Sequence, residues 1–181
     1  MTLRNTPDSF GLVSRILHWT MALMILILLP LGLRLAGMQP SLSTLWLYGL
    51  HKTLGLTALA LVLVRIIWHR ISPPPAPIGP PRAWETRAAK AGHVALYVLM
   101  LAMPLSGWIA SSATGIDVMF AERWVVPPIA PVSETIDQVG FAIHGILGKL
   151  LLALVVLHMA AAVKREMEGD GTLRRMIRGR A

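Results

Sequence analysis

The chain has 181 residues, 55% of them hydrophobic and 14% charged, with a net charge of +8 and a mean hydropathy of +0.62. A soluble domain carries roughly 25% charged residues, so this balance excludes an ordinary soluble protein. The absence of cysteine excludes disulfides, cysteine-bound iron–sulfur clusters and thiolate ligation of haem.

Four apolar runs are long enough to cross a hydrocarbon core of about 30 Å. They cover residues 16–35, 44–68, 90–112 and 139–163. The fold class expected is therefore all-α, an integral membrane four-helix bundle forming a single domain. The first run is too long for a secretory signal and no small-x-small cleavage site follows it. Trp19 marks its inner interface, and Pro30 is expected to kink it near the outer face. Trp46 and Tyr48 mark the outer interface of the second run.

After the second run, Ser72-Pro73-Pro74-Pro75-Ala76-Pro77 and on to Pro81 ends any helix and favours an extended spacer. Pro104 interrupts the third run. The outer connection after it holds Trp124, Pro127, Pro128 and Pro131. It is too long for a tight turn, and such loops often carry function, here as a cap on the outer end. The tail beyond residue 163 is basic.

Position matters more than amount for the charge. Arg4 and Arg15, then Arg65, Arg70, Arg82, Arg87 and Lys90, then Lys164, Arg165, Arg174, Arg175, Arg178 and Arg180 crowd three segments. The other two connections hold Arg34 and Arg123, with Asp117, Glu122, Glu134 and Asp137 beside the latter. The positive-inside rule puts both termini and the middle connection in the cytoplasm. The expected location is a bacterial inner membrane. The basic balance thus reports topology and contact with anionic lipid rather than nucleic acid, because the charges flank membrane spans.

An ionisable ring in hydrocarbon is costly and needs a partner or a task. His18, His51, His144 and His158 all lie inside apolar runs. Alternating helix direction sets their depth. His18 starts an outward helix and His158 ends an inward one, so both are inner. His51 and His144 each open an inward helix, so both are outer. His144 and His158 are 14 residues apart. That is four turns less about 40°, and roughly 21 Å of rise, so the rings leave one face at two levels. Two same-depth pairs sharing one helix fit two bis-histidine haem irons, His18 with His158 and His51 with His144. The bland alternative is polar side chains that hydrogen-bond across helices.

His93 is a further inner-level histidine without a same-depth partner. It suits a substrate pocket, a haem propionate or a plain interfacial role. His69, beside Arg70, reads as a solvated surface residue. Arg65 at the inner level and Lys52 at the outer level suit propionate contacts, against a null of snorkelling to headgroups. Lys149 lies deeper in its run and leans towards an internal role. Glycines at 49, 55, 140, 145 and 148 suit a macrocycle or plain helix packing equally.

At these residues the chain resembles the bacterial cytochrome b561 family. The similarity rests on Arg15-Ile16-Leu17-His18-Trp19, Leu50-His51-Lys52-Thr53-Leu54-Gly55, Gly92-His93-Val94-Ala95-Leu96-Tyr97, Leu105-Ser106-Gly107-Trp108, and His144-Gly145-Ile146-Leu147-Gly148 through His158. The fourth run is also similar to the cytochrome b subunits of nickel–iron hydrogenases and formate dehydrogenases. The resemblance implies a four-helix membrane cytochrome with two haem b groups on the same four histidines. It implies electron exchange with ubiquinone near the inner haem, with His93 and Arg15 as candidates for a quinone or propionate site. Some relatives are thought to oxidise superoxide at the outer side, which would make the chain a quinone-linked oxidoreductase.

The expected function is thus a di-haem membrane electron carrier whose partners are lipid, quinone and a redox protein. One rival is an anchor subunit passing electrons between a partner dehydrogenase and quinone. A rival of another class is a histidine-based proton or metal transporter, which predicts a colourless protein.

Overall fold

A computed structural model describes residues 2–77 and 82–180. Residues 78–81 of the proline-rich spacer lie outside the described residues. Four long helices dominate: α1 (Leu12–Ala36), α2 (Leu45–Ile71), α3 (Ala83–Ala113) and α4 (Glu134–Met167). Each is long and apolar enough to cross a membrane. Most of their surface is not covered by protein: 6% to 17% of the most apolar window of each helix is buried. Lipid must solvate the rest, as the hydropathy requires.

The helices outrun the apolar stretches because their polar ends are stable helix termini. Ser133 caps α4 by accepting a hydrogen bond from Ile136 N, and Glu134 and Asp137 sit in the first turn. Lys164 and Arg165 occupy its last turn, so both ends oppose the helix dipole. Helices α1 and α3 continue through Pro30 and Pro104.

Two small elements add to the bundle. The long connection between α3 and α4 forms an antiparallel hairpin, β1 (Val118–Phe120) and β2 (Trp124–Val126), paired Val118 to Val126 and Phe120 to Trp124. Its turn puts Ala121 at φ 52° and Glu122 at φ 55°. Two consecutive left-handed residues are the geometry for which hairpins normally use Asn-Gly. The hairpin is tied to α2 by Ala121 N donating to Thr53 Oγ1 (3.0 Å), and Trp108 of α3 donates to Pro127 O (3.1 Å). The basic tail holds α5 (Thr172–Arg178).

Helix α1 packs beside α2 and α3 beside α4, while α1 and α4 meet sparsely. Met21, Leu59 and Val62 form a buried cluster joined by Tyr97, Met100, Leu101 and Trp108, so α1, α2 and α3 share one core. Both termini lie at the same end: Phe10 N donates to Gly179 O at 2.8 Å. The start of the α2–α3 connection joins them there, through Asn5 and Ser72 (2.8 Å).

Candidate functional site

Where α4 faces α1 and α2, the intramembrane histidines meet in two pairs. The rings of His18 and His158 lie 6.3 Å apart, tilted by 58°. Those of His51 and His144 lie 6.2 Å apart, at 86°. Imidazole nitrogens ligate a first-row metal at about 2 Å, and each ring centre lies about 1 Å behind its nitrogen, so two rings sharing one metal sit about 6 Å apart. Both pairs fit that spacing. The two pairs hold nearly the same separation at two levels of the bundle.

The His51–His144 pair is the better supported by its surroundings. His144 Nδ1 donates to Met103 O (3.0 Å), and Ser106 Oγ lies 3.1 Å from the same nitrogen. A ring that donates through Nδ1 leaves Nε2 unprotonated and free to bind metal. The approach depends on missing side chains. A Cβ at Gly107 would lie 2.8 Å from His144 Cε1, and one at Gly32 would lie 3.1 Å from His51 Cε1. A Cβ at Gly55 or Gly145 would meet no protein atom within 4 Å, so helix surface beside both ligands is left low. Gly140, by contrast, is a helix contact, since its Cβ would press on Ala110 at 2.9 Å.

Beside the His18–His158 pair stands His93, its ring 5.5 Å from that of His158. Trp19 packs edge-on against His18 at 5.3 Å. Arg65 is not loose: its Nε donates to Tyr97 Oη at 2.9 Å. The Tyr97 hydroxyl in turn lies 3.0 Å from His69 Nδ1. His69 is therefore not the solvated surface residue expected, because α3 brings Tyr97 to it, and its Nε2 is buried without a partner among the described residues. Arg15 donates to Ile177 O of α5, while its Nε is likewise buried and unpaired among the described residues. Lys52 follows His51 and is half-buried. Lys149 is exposed on α4. It is offset from His144 by roughly 140° around the helix, so the internal role leaned towards in its case has no structural support.

The sequence reasoning did not single out Gly32, and it gave no role to Tyr97, Ser106 and Gly107, although these three lie in the stretches that carry the resemblance. Gly107 had a readable signal, an isolated glycine inside a long helix between a proline and a tryptophan.

Each pair offers two imidazole rings, and no group of three or more His, Asp or Glu side chains suited to a metal ion occurs among the described residues. A macrocycle that brings four equatorial nitrogens needs two axial imidazoles and nothing else from the protein. Long apolar helices with facing histidine pairs define the class, a membrane-embedded b-type cytochrome.

The comparisons specify it. The sequence model described as prokaryotic cytochrome b561 matches residues 9–179. The chain is 32% identical to cytochrome b561 homolog 2 of Escherichia coli (strain K12) over 182 residues, 98% of this chain and 95% of that protein. It is 32% identical to cytochrome b561 homolog 1 of the same organism over 165 residues, 89% of this chain and 92% of that protein. A Yersinia pestis protein described as "probable superoxide oxidase CybB" is 25% identical over 162 residues, 89% of this chain and 91% of that protein. The chain belongs to the prokaryotic cytochrome b561 family. It is a haem-b-binding, multi-pass electron-transfer protein of the bacterial inner membrane.

Proposed function

We propose that the chain carries two haem b groups, an inner one on His18 and His158 and an outer one on His51 and His144, and passes electrons between the outer side and ubiquinone near the inner haem. The observation that carries this reading is the pair of ring separations, 6.3 and 6.2 Å, both matching two imidazoles on one metal. Haem supplies a reversible one-electron ferric–ferrous couple. Two imidazoles would hold each haem, His18 with His158 and His51 with His144, which would leave the iron closed to outside ligands and favour electron transfer. Met103 O and Ser106 hold the outer ring in the ligating tautomer.

At the inner level Tyr97 aims Arg65, and a fixed cation there stabilises either a propionate or the charge that grows on a quinone carbonyl during reduction. His93 is an inner histidine not needed as a ligand, and its ring can hand a proton to that oxygen. Arg15 contributes positive charge from the next turn. Lys52 offers the matching cation beside the outer pair. The termini and the middle connection face the cytoplasm, in line with the distribution of basic residues. The relative described as a superoxide oxidase supports superoxide as the electron donor at the outer side.

Optical and EPR spectra of the purified protein, with pyridine-haemochrome analysis, test the reading. Two low-spin haems per chain are expected. His18→Ala or His158→Ala should each remove the same haem, and His51→Ala or His144→Ala the other. A colourless protein, or four variants that all keep both haems, refutes it. For the quinone site, His93→Ala should keep both haems and slow electron exchange with a soluble quinone analogue about tenfold or more, on the order of 1.4 kcal/mol of barrier. An unchanged rate removes His93 from quinone chemistry.

A further inference from the structure

The basic tail does not spread out from the bundle. Arg175 of α5 is buried, with 5% of its surface exposed. Its guanidinium donates to Ala76 O of the α2–α3 connection (2.6 Å) and to Pro7 O of the N-terminal segment (3.3 Å), and it stacks over Phe10 at 5.6 Å. Gly179 closes α5 at φ +94° and accepts from Phe10 N at 2.8 Å. A side chain there would be strained, and its Cβ would stand 3.0 Å from Phe10 O and 3.2 Å from an Arg15 nitrogen. Three segments far apart in sequence are thus closed into one clasp at the inner end.

The clasp reaches the inner histidine pair. The last turn of a helix leaves carbonyl groups without helical partners. In α5, Met176 O accepts from Trp19 Nε1 at 3.2 Å, and Ile177 O accepts from Arg15. Trp19 is the residue whose ring packs edge-on against His18. One continuous chain of contacts therefore runs from Arg175 and Gly179, through the end of α5, to Trp19 and then to the His18 ring.

We propose that α5 is a positioning element for the inner haem: its terminal carbonyls fix Trp19, and Trp19 fixes the orientation of His18. Arg175 and Gly179 act through α5, and neither touches the haem. This rests on the reading of His18 as an axial ligand. The orientation of an axial ring controls how firmly the sixth position stays closed, so loosening Trp19 opens the inner iron to outside ligands and leaves the outer iron closed.

The test uses the full-length holoprotein in detergent with two variants, Gly179→Ala and Trp19→Phe. The second keeps an aromatic ring at a partly exposed site and removes the indole N–H donor together with the five-membered ring. Carbon monoxide binding to the reduced protein and the EPR g-values of each haem are read. In both variants CO should bind the inner haem at least tenfold faster than in the intact protein, its g-values should shift, and the outer haem should keep its signature. Intact CO exclusion and unchanged g-values in both variants overturn the proposal. So does a change in Gly179→Ala that Trp19→Phe fails to reproduce, since Trp19 is then not the link. Failure of the underlying reading is visible separately: the intact protein would lack two bis-histidine signals, or His18→Ala would keep both.

Discussion

Gly107→Ala is the sharpest perturbation of the outer pair. The added Cβ would sit 2.8 Å from His144 Cε1, against a comfortable carbon–carbon separation of about 3.5 Å. The ring must retreat by about 0.7 Å to make room. It cannot do so freely, because Nδ1 is bonded to Met103 O at 3.0 Å, on the same helix as the new methyl group. Such a retreat takes that bond towards about 3.5 Å, where it ceases to be one. Overpacking costs about 1–3 kcal/mol, and an orphaned buried donor a similar amount. Against this, alanine gains up to about 1 kcal/mol over glycine within a helix. The crowding and the lost bond win, by about 1–5 kcal/mol. The variant should melt earlier and lose or weaken one haem, the one whose spectrum His144→Ala also removes, while the inner haem stays. Haem content by pyridine haemochrome and thermal unfolding followed in the Soret band measure both effects. A Gly107→Ala protein with both haems and an unchanged or higher melting temperature would refute the reasoning, since His144 would then not be held where Gly107 admits it.

Gly55→Ala is the complementary case. No protein atom lies within 4 Å of its added Cβ, so the apoprotein should tolerate or gain from it, while haem content falls because the methyl enters space needed by the macrocycle beside His51; full loading of the variant counts against that placement. Ser14→Ala leaves the indole N–H of Trp68 without its 2.9 Å acceptor at a residue 1% exposed, so about 1 kcal/mol of stability and about 2–4 °C of melting temperature should be lost. An unchanged melting curve argues that water replaces the serine. Reporter fusions at Gln39 and Pro128 should be active on the outer side, and a fusion after Arg180 on the cytoplasmic side; the opposite pattern inverts every depth assignment.

Depth was legible in the sequence because hydropathy and charge are ordered along the membrane normal. Four apolar runs, with helix direction alternating between them, suffice to pair His18 with His158 and His51 with His144. Lateral arrangement was not legible, since nothing in a one-dimensional pattern says which helix faces which. Hence Tyr97, one helix away, was not linked to Arg65 and His69. The hairpin escaped because its turn is Ala121-Glu122 in place of the Asn-Gly that such backbone angles usually select, and its strands are three residues each. The tail escaped for a different reason. Basic residues beside a membrane span read as lipid contacts, and only the folded chain reveals that Arg175 binds carbonyls of its own protein.

The sparse seam between α4 and α1 has a consequence for biosynthesis. Helices α1 to α3 share a packed core and emerge from the ribosome first, yet every histidine pair takes one member from α4. On the proposed ligand assignment, neither set is complete until α4 has been made. On that assignment cofactor capture waits for α4, and the segment that follows it, α5, is the one that fastens the N-terminal residues. On the same assignment a product cut before α4 would lack one member of each pair, so bound iron porphyrin would mark completion of the bundle.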